Sequence, residues 1–166
     1  PDFKLIVERV ETKIDKVLSE DTFNRLISML TLIPTGVESM SREIEGLVES
    51  SCNLAIVRIE ENEIIVESSI RSSKEVLKSN ISKQIKTVAD IIRAEWESYG
   101  SYPAWEYKED SKIREIFEKV YKDLYGTDIK VTAIHAGLEC GIFAEKIPDM
   151  DMISFGPNMY GVHTPD

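Results

Sequence analysis

NLAIVRIEENEIIVESSIRS, residues 53–72, decides the fold. NLAIVRIE (53–60) and EIIVESSIRS (63–72) are rich in Val and Ile and read as two strands. The polar link EN between them is short enough for a hairpin. Downstream, SKEVLKSNISKQIKTVADIIRAEW (73–96) opens with a serine cap and lines Val76, Leu77, Ile81, Ile85, Val88 and Ile92 along one helical face. WESYGSYPAW (96–105) then reads as an aromatic strand closing at Pro103. Upstream, PTGVESMSREIEGLVESS (34–51) shows no sustained period and reads as a long loop. EDTFNRLISMLTLI (20–33) places Phe23, Leu26, Ile27, Leu30 and Ile33 at helical spacing and stops before Pro34. FKLIVERVE (3–11) alternates like a half-buried strand.

Strand, helix, strand, strand, helix, strand is the ferredoxin-like βαββαβ plan, with both helices on one face of a four-stranded antiparallel sheet. Residues 1–105 are therefore expected to form one α+β unit. The rest reads differently. DSKIREIFEKVYKDLYG (110–126) is an amphipathic helix stopped by Gly126. DIKVTAIHAG (128–137), LECGIFAEKI (138–147) and MDMISFGP (150–157) read as strand, short helix and strand, one parallel unit of an α/β domain. One such unit is too few strands for a covered sheet, so residues 106–166 are expected to be an incomplete α/β segment. The chain starts at Pro1 without a methionine and stops at GVHTPD in what reads as a loop, which adds to the expectation of a longer protein.

The chain has 166 residues, 42% of them hydrophobic and 30% charged, with a formal net charge of −10. That is a globular composition. The acidic balance argues against a nucleic-acid backbone or an anionic membrane surface as the main partner. No apolar run reaches membrane-spanning length and no leader pattern opens the chain. Two distant cysteines, Cys52 and Cys140, fit free thiols in a reducing, cytoplasmic setting.

HAGLECG (135–141) is the most chemical string. It follows an expected strand and enters an expected helix, where open α/β sheets bind ligands. Gly137 permits a tight turn, and Glu139 in the first helical turn complements the helix dipole as readily as it contacts a ligand. Cys140 as a nucleophile would need His135 as its base, and no third orienting group is evident. A cysteine among such small apolar neighbours equally well packs as a hydrophobe. His163, Arg71 and Asn53, taken singly, read as ordinary turn and strand-end residues. HExxH, GxSxG, a phosphate loop and paired CxxC are all absent. With two histidines, the chain has too few imidazoles to build a binuclear metal site unaided.

Taken in order, LIPTGVESMSREIEGLVESSCNLAIV (32–57), IRSS (70–73), SYPAW (101–105), IHAGLECG (134–141) and MDMISFGPNMYGVHTPD (150–166) resemble the bacterial aminoacyl-histidine dipeptidases. These Xaa-His dipeptidases, or carnosinases, are zinc metallopeptidases related to carboxypeptidase G and to the di- and tripeptidases. The resemblance spans essentially the whole chain. It implies a two-domain enzyme with two zinc ions in an α/β catalytic domain and an enlarged lid of two ferredoxin-like halves. Residues 1–105 would be the second lid half, and 106–166 the return into the catalytic domain.

Residue by residue, the resemblance makes His163 a zinc ligand and Arg71 the lid arginine that binds the substrate carboxylate. Asn53 matches a lid asparagine. Gly137, Leu138 and Glu139 fall on a substrate-side turn, which leaves Cys140 to packing. The remaining metal ligands and the glutamate general base would lie upstream of Pro1, so the chain alone is expected to be inactive and to carry no catalytic residue of its own. In the family, zinc polarises the scissile carbonyl and supplies hydroxide while that glutamate moves the proton. The substrate class implied is Xaa-His and related unblocked dipeptides. Relatives associate through the lid, so a homodimer is the implied assembly. The rival expectation is a stand-alone ferredoxin-like interaction module without catalysis.

Overall fold

The computed structural model describes residues 4–9, 11, 16–132, 139–157 and 159–161. Their regular elements are α1 (Glu20–Leu32), β1 (Gly36–Met40), β2 (Val48–Glu60), β3 (Glu63–Ser72), α2 (Glu75–Ile91), α3 (Lys112–Tyr125) and α4 (Glu139–Lys146). The class is α+β. The expected hairpin forms two of the sheet's three strands, with β2 antiparallel to β3 from Ser50↔Ser72 to Glu60↔Glu63. A bulge between Leu54 and Ile56 interrupts the pairing.

The stretch expected to be a long loop contains β1 and the first four residues of β2. Serine and glutamate hide the strand period there, and the pairing is irregular. Gly36 faces Cys52 and Val37 faces Ser51, then two register shifts bring Ser39 opposite Ser50 and Met40 opposite Val48. The Ser39 and Ser50 hydroxyls meet at 2.6 Å, satisfying two polar side chains at the inner end of the sheet. The sheet order is therefore β1-β2-β3.

The two outer strands of the expected plan are not strands among the described residues. Residues 4–9 have no regular structure, and Leu5, Ile6 and Val7 lie exposed. An alternating pattern makes a strand only where a neighbouring edge accepts it, and no described strand does so. Residues 96–105 are likewise irregular and are held by side chains instead. In the C-terminal part, residues 128–132 and 150–157 form no strand in the described portion, while 133–137 lie outside it. A lone parallel segment has no ladder to join.

The helices form where expected, although α2 is preceded by Lys74 with no side-chain cap rather than by the expected serine cap. Ser19 caps α1 by accepting from the Thr22 amide at 3.2 Å. Ser111 caps α3 in the same way, and Gly126 ends α3 at φ +71°, a conformation glycine adopts without strain. α2 is shorter than expected, ending at Ile91. Arg25 of α1 caps it from outside, donating from Nε to the Ile92 carbonyl at 2.7 Å and from Nη2 to the Arg93 carbonyl at 2.8 Å. This satisfies carbonyls that a helix end leaves bare.

The core lies on one face of the sheet. Ile33, just past α1, and Ile81, Ile85 and Val88 of α2 surround Cys52, with Met29, Leu54, Val66 and Ile70 packed around them. Val76, expected on that helical face, is exposed instead. Neither α3 nor α4 packs against the sheet, α1 or α2.

Candidate functional site

Strand register sorts the side chains into two faces. Cys52 pairs with Ile70, and both belong to the core, so this parity faces the helices. The neighbouring pairs, Ser51↔Arg71 and Asn53↔Ser69, project from the opposite face. Asn53 and Arg71 are thus diagonal neighbours on one open face, about 7–8 Å apart by strand geometry. Both are exposed. The Arg71 guanidinium has no hydrogen-bond or ion-pair partner among the described residues, whereas Arg25, Arg58 and Arg114 all have one.

The backbone beneath Arg71 is fixed. Where β3 turns into α2, the Glu49 carbonyl accepts from the Ser72 hydroxyl at 2.9 Å and from the Ser73 amide at 3.3 Å. Lys74 then pairs with the Glu49 carboxylate at 2.9 Å and with Glu43 at 3.6 Å. Glu49, through its hydrogen bond above all, raises the Lys74 ammonium pKa. Lys74 is also the N-cap of α2 and supplies no side-chain cap. The positive end of the helix dipole therefore begins four residues after Arg71, and both favour an anion.

Further along the same face, Arg58 is held between Glu60, at 2.6 Å, and Glu67. Tyr99 donates its hydroxyl to the other oxygen of Glu67 at 2.9 Å. The Arg58 hydrogen bond, then that of Tyr99, pulls the Glu67 carboxyl below its ordinary pKa. Glu49, Lys74 and the Arg58–Glu67–Tyr99 chain carry no motif in the sequence, because their partners are set by strand register and by a connection 32 residues away.

Of the other expected site residues, Glu139 begins α4. Gly137, Leu138, His135 and His163 lie outside the described residues. Among the described residues no three His, Cys, Asp or Glu side chains gather as a metal ion needs. The described part alone therefore does not fit a zinc site. Cys140 is half-buried in α4 and Cys52 is fully buried, and both are free thiols.

The sequence pattern of peptidase family M20/M25/M40 matches residues 7–166, across both the sheet unit and the C-terminal helices. The chain belongs to that family. It is 34% identical over 148 residues to the cytosol non-specific dipeptidase of Escherichia coli (strain K12), covering 89% of this chain and 30% of that protein. Its fold matches the crystal structure of aminoacylhistidine dipeptidase from Vibrio alginolyticus with a TM-score of 0.85 at 40% identity, over 97% of this chain and 33% of that one. The chain thus spans about a third of the length of the relatives it matches. Membership in a peptidase family across both parts speaks against an unrelated interaction module. No helix among the described residues is long and apolar enough to cross a membrane.

Proposed function

We propose that this chain is part of a longer, zinc-dependent dipeptidase that hydrolyses Xaa-His and related unblocked dipeptides in the cytosol, and that the chain alone has no activity. Membership in the peptidase family and the names of the two relatives support the reaction class. Residues 1–105 are taken as the second half of a lid, and 106–166 as the C-terminal segment of the catalytic domain. The absence of packing between α3 or α4 and the sheet agrees with that division. His163 is proposed as a zinc ligand, Gly137, Leu138 and Glu139 as a substrate-side turn, and the lid as a homodimer contact.

One observation carries the substrate assignment. Arg71 is exposed and unpaired among the described residues, on a rigid strand end, with Asn53 beside it on the same face. A planar guanidinium presents two parallel N–H donors that match both oxygens of a carboxylate. The Asn53 amide can donate to the same carboxylate or to the adjoining peptide. An Arg already neutralised by Glu, as Arg58 is, would have to break a pair first. This pair of residues would fix the C-terminus of a dipeptide and thereby require it to be unblocked.

The test compares dipeptides with free and amidated C-termini on the longer protein. Losing a charge-assisted hydrogen-bonded contact removes about 1.5–3 kcal/mol, roughly a 10- to 150-fold fall in kcat/KM. Arg71→Ala is expected to show that fall for the free acid and little change for the amide. Equal losses on both substrates would remove the carboxylate role from Arg71.

A further inference from the structure

We propose that Glu49 is a positioning residue for Arg71, holding the corner where β3 turns into α2 through its main-chain carbonyl and its carboxylate at once. The proposal rests on the reading of Arg71 as the group that binds the substrate carboxylate. Glu49 lies at an irregularity of β2. Ser39 pairs with Ser50 and Met40 with Val48, so Glu49 has no opposite number on β1. Such an extra residue bends a strand and re-aims its side chain. Among the described residues Glu49 is the one charged residue that is buried. Its carboxylate meets Lys74 at 2.9 Å, and Lys74 also reaches Glu43, in the connection between β1 and β2, at 3.6 Å. A carboxylate taken out of water without a partner is costly, so the Lys74 pair is what holds it in place.

The same residue also acts through its backbone. The Glu49 carbonyl accepts from the Ser72 hydroxyl and the Ser73 amide, and the Ser72 oxygen in turn accepts from the Lys74 amide at 3.0 Å. Ser72, Ser73 and Lys74, the three residues that follow Arg71, are therefore each tied to Glu49. Arg71 itself is matched across the ladder with Ser51, two residues beyond Glu49 on β2. An exposed arginine keeps freedom in its side-chain torsions. What the fold can fix is the Cα from which that side chain swings, and here this point is pinned from both sides. A two-pronged grip on a carboxylate tolerates little displacement, so loosening the corner weakens binding without touching the reacting atoms.

Two variants test it from opposite ends of the pair. Glu49→Gln keeps the size and the main-chain carbonyl while removing the charge, and Lys74→Met removes the cation. In the longer protein each should raise KM for a free-acid dipeptide about tenfold, hold kcat within about twofold and leave an amidated dipeptide unchanged. In an Arg71→Ala background neither should add to the loss, because a residue acting through Arg71 has nothing left to act on. Equal losses on acid and amide, or a full further loss on top of Arg71→Ala, would mark a merely structural role and overturn the proposal. Amide exchange on the 166-residue chain reads the corner without any cleavage. Both variants should speed exchange at Ser73 and Lys74 and leave the middle of the β2–β3 ladder unchanged; unaltered exchange at Ser73 and Lys74 would also overturn the proposal. If the longer protein cleaved neither substrate the dipeptidase reading would fall, and exchange would still decide whether Glu49 holds the corner.

Discussion

Gly141→Ala sets two effects of opposite sign against each other. Gly141 is a buried position within α4, and alanine is the better helix former by about 0.8–1 kcal/mol. Propensity alone would therefore raise the melting temperature. The structure argues otherwise, because the added Cβ would collide with the Pro103 carbonyl oxygen, with the carbonyl carbon only 3.3 Å away. Both partners are backbone, so no flexible side-chain end can swing aside. Forcing an extra carbon into a packed contact costs about 1–3 kcal/mol. The difference is a net loss of about 1 kcal/mol, which in a chain of this size lowers the melting temperature by roughly 2–4 °C. Thermal unfolding followed by circular dichroism measures it, and amide exchange along α4 shows where the loss falls. A variant that melts at or above the wild-type temperature would refute the close packing of α4 on Pro103.

Two other perturbations test the sheet unit. The folded-state pKa of Glu67 is depressed by Arg58 and Tyr99, so its contribution is present above the ordinary carboxylate value of 4.5 and is lost as pH falls through the depressed value. Wild type should accordingly out-melt Glu67→Gln near neutrality, with the gap closing in acid; a gap independent of pH would contradict the pairing. Burial, outweighing a hydrogen bond from Ser68, raises the Cys52 thiol pKa, so a thiol reagent should modify Cys140 in the native chain and reach Cys52 only after unfolding. Rapid native labelling of Cys52 would show that its core position is wrong.

The hairpin at 53–72 was legible because alternation and a two-residue polar link are local signals. α1 and α3 were legible from apolar residues at helical spacing, with Pro34 and Gly126 as their stops. β1 was not, since GVESM has little apolar period and becomes a strand only because VESSC offers an edge. The opposite error arose at FKLIVERVE and WESYGSYPAW, whose patterns ask for a neighbour that no described strand supplies. Arg71 and Asn53 could be singled out by resemblance, yet their shared face depends on register, which the bulge between Leu54 and Ile56 shows can shift within this strand pair. The Glu67–Tyr99 contact and the Pro103 seat on Gly141 arise from long-range packing. No short string encodes them.

The most direct test of the dipeptidase account is hydrolysis of β-alanyl-histidine and Gly-His by the longer protein, with and without a chelator, beside a His163→Ala variant. The account expects cleavage that the chelator abolishes and that collapses in the variant. Cleavage of neither peptide, or a variant as active as wild type, would contradict it.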